Sequence, residues 1–385
     1  MSNKKTKTKV LSAVTVSDSV IFFYGIPTFL SNKGFEVAIA SSKGAELDLI
    51  SNRENPVIFP VEMEREIKLF SDFISLLKVI IVIYRFRPDI VNSGTPKAGL
   101  LYTLAAWFLR VPVRIYHVRG LRHESLTGFS EKLQIAIERI VGRLATHVIC
   151  ETESLKNLAL TQNLFDVEKC YVLGPGSSGV QLENFNPEKF SSDFRSELRS
   201  SMGIPEDSIV IGLVGRLVPR KGISELIESW KEIRRNYPSA ILLLVGPIES
   251  AQSLESSDIS TIQNDSRIIS TGMVSDVAKY YSIMDVFTLP AHWEGFGNVL
   301  VEAASMGVPV VTTNGTGTID AAKDGYNAKI IDVKDTVALT KAISEYLDDP
   351  SLRYKHGKNG QEWATKFDRK KILRHLYEFY QSINF

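Results

Sequence analysis

The sequence predicts an α/β protein with two consecutive doubly wound parallel-sheet domains of the Rossmann type, facing each other across a cleft. Short runs rich in β-branched residues alternate with longer amphipathic patterns along the whole chain, which is typical of parallel sheets connected by helices. The alternation restarts after a polar stretch near the middle. A length of 385 residues also exceeds what one hydrophobic core usually serves, so two domains are expected.

The individual elements follow from the same patterns. In the first half, strands are predicted at KVLSAVTV, FEVAIAS, PVIFPV, DIVNS, VRIYHV, THVICE and CYVLG. Apolar residues recur with helical period between them, and the clearest helices are expected at 70–86, 95–109, 130–143 and 153–162. In the second half, strands are predicted at SIVIGLVG, AILLLVG, RIIST, DVFTLP, PVVTT and AKIIDV.

The polar segment 179–207 separates the two halves and lacks a sustained apolar period. We place the domain boundary near residue 190, which gives a first domain over 1–190 and a second over 191–385. The last helix, about 368–385, is a candidate for packing back on the first domain. In doubly wound sheets ligands bind beyond the carboxyl ends of the strands, so residues that directly follow strands are the functional candidates.

Composition and charge exclude several classes of protein. The formal net charge is +1, with 23 − 19 = +4 over residues 1–190 and 22 − 25 = −3 over the rest, which is far from a nucleic-acid-binding pattern. Cys150 and Cys170 lie in separate strand-like runs, so neither a disulfide scaffold nor a CxxC metal site is indicated. No signal peptide is evident, and the longest apolar run, 76–84, is too short to cross a bilayer. We therefore expect a cytoplasmic protein.

Basic residues follow the first strand of the second domain, in IGLVGRLVPRKGISELIESW. The strand ends at Gly215, Arg216 follows it, and Lys221 stands just before the next helix. Two fixed cations at such a position suit a diphosphate, although a solvated basic loop explains the segment about as well when it is taken alone. Val274 follows a later strand and could lie against a flat base, but an ordinary strand-to-helix turn is the better-supported interpretation there.

The stretch HWEGFGNVLVEA places one carboxylate, Glu294, before a Gly-Phe-Gly turn and a second, Glu302, within the helix that follows. Asn298 is the predicted N-cap of this helix, whose first backbone N–H groups would face an anion. Carboxylates beside a phosphate repel it, so we expect them to accept hydrogen bonds from hydroxyl groups of the same ligand. A ligand with a central diphosphate and hydroxyl-rich groups at both ends is a nucleotide sugar.

Taken in order, Gly215-Arg216-x4-Lys221-Gly222, E-G-F-G-x-V-L-x-E-A and G-V-P-V-V resemble the family 4 glycosyltransferases of the GT-B fold. The first half resembles the subgroup of capsular polysaccharide and O-antigen sugar transferases, in NSGTPKAGLL, RIYHVRGL and VLGPGSSGVQLENF. The resemblance covers essentially the whole chain. It implies transfer of a sugar from a nucleotide diphosphate donor, with a UDP-sugar expected, to a hydroxyl of a glycan acceptor that is expected to be lipid-linked. It also implies retention of the anomeric configuration and no required metal or other cofactor.

The resemblance assigns roles to individual residues of the second domain. It implies that Arg216 and Lys221 hold the donor diphosphate. Glu294 would contact hydroxyl groups of the transferred sugar, and Glu302 those of the ribose. The other residues expected to line the donor site are Gly215, Val274, Phe296, Gly297, Asn298 and Val299.

The first domain departs from the subgroup at two strand ends that are expected to face the reacting sugar or the acceptor. Arg119 stands where the subgroup usually has His, with His117 two residues earlier. Ser17 and Asp18 stand in the first loop, where a Gly-Gly pair is usual. His117 and Arg119 are candidates for catalysis, and Ser17 and Asp18 for substrate binding. For His117 and Arg119, a packed or solvated side chain is as good an interpretation as a catalytic one.

The segment 66–88 has apolar residues at helical spacing among four basic residues. Such a helix could dock at the inner face of the cell membrane, but we favour burial on the sheet of the first domain, because amphipathic helices most often face their own core.

Two alternative functions share these sequence features. A hydrolysing UDP-sugar epimerase of the same architecture would release UDP and an epimerised sugar without an acceptor. A non-catalytic nucleotide-sugar-binding subunit would bind the donor without turnover.

Overall fold

The computed structural model describes residues 7–64, 66, 68–249 and 254–383. The chain forms two compact units: unit 1 contains the chain up to Ser178 and again from Ile372 onward, and unit 2 is Gly179–Lys371. The division precedes the predicted boundary near residue 190 because Val180 already pairs with the end of unit 2. The Val180 N–H donates to the Phe367 carbonyl (2.8 Å), and the Arg369 N–H donates to the Val180 carbonyl (2.9 Å).

Unit 1 is built on a sheet of seven parallel strands. They are β1 (Lys9–Ala13), β2 (Glu36–Ser41), β3 (Val57–Pro60), β4 (Ile90–Gly94), β5 (Val113–Val118), β6 (His147–Cys150) and β7 (Cys170–Tyr171). Their order in the sheet is β3-β2-β1-β4-β5-β6-β7, and every neighbouring pair is parallel. The helices are α1 (Ile26–Asn32), α2 (Ala45–Glu54), α3 (Leu69–Phe86), α4 (Pro96–Phe108), α5 (Gly128–Leu144) and α6 (Glu153–Thr161).

Unit 2 is built on a sheet of six parallel strands, ordered β10-β9-β8-β11-β12-β13. They are β8 (Ile209–Val214), β9 (Ala240–Val245), β10 (Ile268–Ser270), β11 (Val286–Leu289), β12 (Val310–Thr313) and β13 (Ala328–Ile331). The helices are α7 (Ser192–Ser201), α8 (Ile223–Asn236), α9 (Ser256–Asn264), α10 (Ala278–Tyr281), α11 (Asn298–Ser305), α12 (Thr318–Ala321), α13 (Thr336–Asp348) and α14 (Pro350–Ala364). The last helix, α15 (Arg369–Ser382), passes into unit 1.

Two doubly wound parallel sheets confirm the predicted fold class, and each predicted strand is present. The last helix contributes to the core of unit 1. Leu373 and Leu376 are buried there, and the Asn92 side chain of β4 donates to the Tyr380 hydroxyl at 2.8 Å.

The strand order of each sheet reverses at its centre, which leaves a crevice at the carboxyl edge where ligands bind in folds of this type. In unit 1 the reversal lies between β1 and β4, and Ser17 and Asp18 follow β1. In unit 2 it lies between β8 and β11, where Gly215 and Arg216 follow β8 and Glu294 follows β11. Several of the candidates therefore stand at the switch points.

Helix α3 is more exposed than predicted. One stripe, which includes Val79, Val82, Ile83 and Phe86, is buried. A second stripe faces outward and consists of Leu69, Phe70, Phe73, Ile74, Leu77, Ile81 and Tyr84. The preferred interpretation, a helix buried on its own sheet, is therefore right for one stripe only. Within the described part of the chain, neither α3 nor another helix has the length and apolarity that a membrane span requires.

Candidate functional site

The loop after β8 carries the first candidate cations and ends in a glycine that the packing requires. Gly215 directly follows β8 with a φ of 141°, and the short turn Pro219–Lys221 leads into Gly222, the N-cap of α8, with a φ of 72°. A Cβ atom at Gly222 would lie 2.0 Å from the Pro290 carbonyl oxygen. This close approach holds Lys221 against the loop that leaves β11.

Glu294 lies in that second loop, between two cations. Its Oε1 accepts a hydrogen bond from Arg220 Nη1 at 3.1 Å and contacts Lys221 Nζ. Burial acts to raise the pKa of Glu294, but the charges of Lys221 and Arg220 outweigh it and hold the pKa below its ordinary value. The Arg220 guanidinium also lies 4.8 Å from the centre of the Trp293 ring. Glu294 is therefore an ionised carboxylate in a cluster with one excess positive charge. We call Arg220, Lys221 and Glu294 the donor-side cluster.

Arg216 pairs with a different carboxylate. Its Nη1 lies 3.0 and 3.2 Å from the two carboxylate oxygens of Glu249, and its side chain is 43% exposed. Glu249 follows β9, whose loop touches the β8 loop so closely that a Cβ atom at Gly246 would lie 1.9 Å from the Gly215 carbonyl oxygen. Exposed ion pairs contribute about 0–1 kcal/mol, so Arg216 can exchange Glu249 for another anion at little cost.

The N-cap of helix α11 lies one residue earlier than predicted. Gly297, with a φ of 81°, is the N-cap, and Asn298 is the first helical residue rather than the cap. Gly297 has no side chain to cap the first N–H groups of the helix. Phe296 is buried, with its ring centre 5.0 Å from that of Phe367, so its side chain belongs to the core and its backbone forms the turn. Val299 lies partly buried in the first turn.

Glu302, one turn into α11, has a different environment from Glu294. The hydroxyl of the buried Tyr281 donates a hydrogen bond to Glu302 Oε2 at 2.9 Å. Burial raises the pKa of Glu302 to about 7, although the Tyr281 hydrogen bond and the Lys221 charge act in the opposite direction. Near neutral pH, Glu302 therefore exchanges a proton while Glu294 stays ionised.

Val274 follows β10 and is partly buried against the core of unit 2. Its neighbour Gly272 forms a bridge with Gly246, whose loop in turn packs on Gly215. The structure thus brings the loops after β8, β9, β10 and β11 together at one edge of the sheet.

In unit 1, His117 and Arg119 belong to a closed network with Glu151. Arg119 Nη1 donates to Glu151 Oε2 at 3.0 Å, and Arg119 Nη2 lies 3.2 Å from His117 Nδ1. A guanidinium has donors only, so His117 Nδ1 must accept, and the ring proton is on Nε2, which lies 3.0 Å from Glu151 Oε2. We call His117, Arg119 and Glu151 the acceptor-side cluster.

Two further contacts complete the acceptor-side cluster. Arg119 and Glu151 both bond the Ser178 hydroxyl, and the Arg119 guanidinium lies 4.4 Å from the centre of the Phe22 ring. Burial acts to raise the pKa of Glu151, but Arg119, His117 and Ser178 outweigh it and lower the pKa to about 2. Glu151 is therefore ionised, and its charge neutralises that of Arg119.

The first loop of unit 1 uses one of its candidates internally. Ser17 is buried, and its hydroxyl accepts a hydrogen bond from the Leu47 N–H at 3.0 Å, which fixes the start of α2. Asp18 is exposed, in the first turn of the 3-10 helix Ser17–Phe23.

Three residues that contact the predicted ones were not themselves predicted. Arg220 stands next to the predicted Lys221, and the motif that carries the resemblance selects only the lysine. Glu151 directly follows a predicted strand, so the rule that selected the other candidates also selects it. Nothing in the sequence distinguishes Tyr281 as a functional residue, because it stands at a position of the helical pattern where a core residue is expected. Among the described residues, no group of three or more His, Cys, Asp or Glu is arranged to hold a metal ion.

Comparisons with known proteins agree with this geometry. Two family descriptions match the chain: "Glycosyl transferases group 1" over residues 194–363 and "Glycosyl transferase 4-like domain" over residues 30–176. The capsular polysaccharide biosynthesis glycosyltransferase CapM of Staphylococcus aureus is 40% identical over 376 residues, 97% of each chain.

A more distant relative and a solved structure add to this. The Escherichia coli UDP-Gal:alpha-D-GlcNAc-diphosphoundecaprenol alpha-1,3-galactosyltransferase is 27% identical over 327 residues, 84% of this chain and 83% of its own. The crystal structure of Anabaena HepE in complex with UDP has a TM-score of 0.80 at 19% identity, over 98% of this chain and all of HepE.

Proposed function

The chain belongs to the glycosyltransferases, and on that premise we propose that it transfers a sugar, with retention, from a UDP-sugar to a hydroxyl of a lipid-linked glycan. The proposed setting is the synthesis of a bacterial surface polysaccharide at the cytoplasmic face of the membrane. Two relatives support the choice of substrates. One is named for capsular polysaccharide synthesis, and the other for a UDP-sugar donor and a diphosphoundecaprenol-linked acceptor.

The donor-side cluster carries the proposal. Arg220 and Lys221 outnumber Glu294 by one charge, and the N-terminus of α11 adds about half a positive charge to the same loop. A diphosphate held there would meet two cations and a helix start, with Arg216 as a third cation that can leave Glu249. Charge-assisted hydrogen bonds of this kind contribute about 1.5–3 kcal/mol each.

The two carboxylates suit the two hydroxyl-rich ends of the donor. Glu294 stays ionised and stands before the glycine turn, so it can accept hydrogen bonds from hydroxyl groups of the transferred sugar. Glu302 lies within the helix and is held by Tyr281, so we assign it to the ribose. The backbone from Phe296 to Val299 would line the phosphate and sugar, and Val274 would lie beside the base.

The chemistry asks the donor-side cluster to stabilise the leaving UDP. When the bond from the anomeric carbon to the phosphate oxygen breaks, negative charge develops on the diphosphate. Lys221 and Arg220 are fixed in place by Glu294 before the reaction, so little reorganisation is needed when that charge appears. Preorganised groups of this kind are usually the largest contribution to catalysis.

We assign His117 and Arg119 a positioning role rather than direct contact with the reacting atoms. Both side chains are engaged with Glu151, and the nitrogen atoms of His117 already accept from Arg119 and donate to Glu151. The cluster holds the ends of β5 and β6 and the Ser178 segment together at the carboxyl edge of unit 1. We infer that the acceptor is presented at this edge, with the exposed Asp18 as a candidate contact.

The alternatives receive less support. The relatives named above are transferases, which favours an enzyme over a non-catalytic subunit and transfer over epimerisation. A hydrolysing epimerase would also turn over without an acceptor.

The test is a UDP-release assay on the full chain with a panel of UDP-sugars, with and without a diphosphoundecaprenol-linked glycan. We expect release that depends on the acceptor and a product whose anomeric configuration, read by NMR, equals that of the donor. The double variant Arg216→Ala/Lys221→Ala should lose UDP binding and turnover while remaining folded. Lys231→Ala is the matched control, because Lys231 is exposed on α8 and pairs with Glu228. UDP release without acceptor, together with an epimerised free sugar, would support the epimerase instead.

A further inference from the structure

The outward stripe of α3 forms an apolar surface, which we call the α3 face. Its seven large side chains are 39–84% exposed, and the largest values belong to Leu69 and Phe70 at the start of the helix. At about 1.5 Å per residue, the 18-residue helix is roughly 27 Å long, so the face runs along a large part of unit 1. Contiguous exposed apolar surfaces of this extent mark interaction sites in soluble proteins.

Neighbouring helices of unit 1 also carry exposed apolar residues. α3 packs beside α4, and α4 packs beside α5. Trp107 and Phe108 at the end of α4 are 51% and 67% exposed, and Phe129 at the start of α5 is 81% exposed. In unit 2, exposed apolar residues such as Val337 and Tyr354 belong to different helices and are far apart in sequence.

The exposed charges along α3 and at its C-cap are positive, whereas exposed glutamates lie in the segment just before the helix. Lys78 and Arg85 are exposed on the helix and Arg87 at its C-cap, and none of them forms an ion pair among the described residues. The acidic residue of α3, Asp72, is instead bound to Lys97 of α4 at 2.6 Å. An apolar stripe flanked by uncompensated cations is complementary to an anionic lipid surface, which offers an apolar interior beneath negative headgroups.

We propose that the α3 face lies in the interface of an anionic lipid bilayer, with the helix axis parallel to the membrane plane. Leu69, Phe70, Phe73 and Leu77 enter the boundary between headgroups and acyl chains, and Lys78, Arg85 and Arg87 contact the headgroups.

The topology gives this contact a consequence for the acceptor. α3 follows β3 and leads to β4 in a parallel sheet, so the helix begins at the carboxyl edge and runs back along the strands. Leu69 and Phe70 therefore lie toward the same edge as His117 and Arg119. Only this consequence rests on the proposed function: docking places the edge that we assign to the acceptor close to the lipid that carries it.

The test is flotation of the purified full chain with vesicles of phosphatidylcholine alone or of phosphatidylcholine and phosphatidylglycerol in equal parts. We expect the wild type to float with the mixed vesicles and at least tenfold less with the neutral ones. Phe70→Ser/Phe73→Ser should lose flotation, and Lys78→Gln/Arg85→Gln should lose the preference for phosphatidylglycerol. The matched controls, Val337→Ser/Tyr354→Ser and Lys231→Gln/Arg235→Gln, change exposed residues of unit 2 and should float like the wild type.

Calorimetric titration with UDP, without vesicles, separates this proposal from the donor site. Every variant above should bind UDP normally, which also shows that it is folded, whereas Lys221→Met should bind UDP about 10- to 100-fold more weakly but still float. Flotation of Phe70→Ser/Phe73→Ser at the wild-type level would overturn the proposal. The proposal would also be overturned if the wild type did not float with either kind of vesicle and instead formed a dimer. If Phe70→Ser/Phe73→Ser abolished that dimer, a second copy of the chain would be what covers the face.

Discussion

The donor-side and acceptor-side clusters are built from similar parts but differ in what they leave available. Each has a glutamate at the carboxyl edge of a parallel sheet, joined to two nitrogen-containing side chains. In unit 2 the partners are two full cations, so one positive charge remains. In unit 1 they are an arginine and a histidine whose Nδ1 must accept a hydrogen bond, so the charges balance when that histidine is neutral.

The surroundings reinforce the difference. Arg119 is enclosed by Glu151, Ser178 and the Phe22 ring, so the network has no charge to offer a ligand. Lys221 and Arg220 instead stand in a loop beside the start of α11, whose N-cap is a glycine without a side chain. On the proposed function, the cluster whose charges do not cancel binds the diphosphate, and the cluster whose charges cancel holds loops together.

The sharpest contrast should appear when the two glutamates are neutralised by the same substitution. Glu151→Gln leaves the enclosed Arg119 without a counter-charge and should lower the free energy of unfolding by about 3–5 kcal/mol. Glu294→Gln should cost less, about 1–3 kcal/mol, because Arg220 is 20% exposed in a loop where solvent screens its charge, whereas Arg119 is enclosed. Urea denaturation of both variants measures this. Equal losses would mean that the clusters have the same structural role.

The ionisation of Glu151 should also make the stability of the protein depend on pH. Because the folded pKa is lowered to about 2, the stabilisation is present above the ordinary carboxyl pKa of about 4.3 and is lost as the pH falls toward 2. Glu151→Gln should remove that part of the acid sensitivity.

When the cations are substituted, the donor-side cluster should show the larger effect, and that effect should be on UDP affinity. Lys221→Met should weaken UDP binding by about 10- to 100-fold, the effect of one lost charge-assisted hydrogen bond. Arg119→Met should leave UDP affinity within about twofold while lowering stability. Isothermal calorimetry on both, with Lys231→Met as the exposed control, is the measurement. A large loss of UDP affinity in folded Arg119→Met would contradict the closed-network assignment.

The sequence predicted the sheets better than the clusters. Each strand carries its own local signal, a short β-branched run between helical patterns, so all thirteen were found. Arg119 was singled out from the sequence as a candidate, but its surroundings depend on Glu151, which lies 32 residues away and meets it only because β5 and β6 are neighbours.

The outward stripe of α3 was misjudged for a related reason. Periodicity shows that a helix has apolar residues, but it does not show which of two apolar stripes the sheet will cover. Leu69 and Phe73 fit the helical pattern, as Ile83 does, yet only Ile83 is buried.

Within unit 2, the two carboxylates should separate binding from turnover. Glu294→Gln removes a charged acceptor next to the reacting sugar, so it should lower kcat by more than it lowers UDP affinity. Glu302→Ala should weaken UDP itself about tenfold, because the ribose is part of UDP. Steady-state kinetics and UDP dissociation constants for both variants are needed. The reverse pattern would exchange the two assignments, and no change in either variant would reduce the pair to a polar helix start.

The smallest effect should be a pH dependence that belongs to Glu302 alone. On the proposed assignment, two ribose hydroxyl groups would donate to the ionised carboxylate of Glu302, and burial raises the pKa of Glu302 to about 7 in the free protein. The affinity for a UDP-sugar should therefore rise by about tenfold between pH 6 and pH 8 and level off above, since only the ionised fraction binds both hydroxyl groups. A UDP-sugar is the right ligand, because the terminal phosphate of UDP titrates near pH 6. Glu302→Gln should flatten the profile, whereas Glu294→Gln should keep it, since the pKa of Glu294 lies below its ordinary value. A flat wild-type profile would show that binding of the UDP-sugar does not depend on the charge of Glu302.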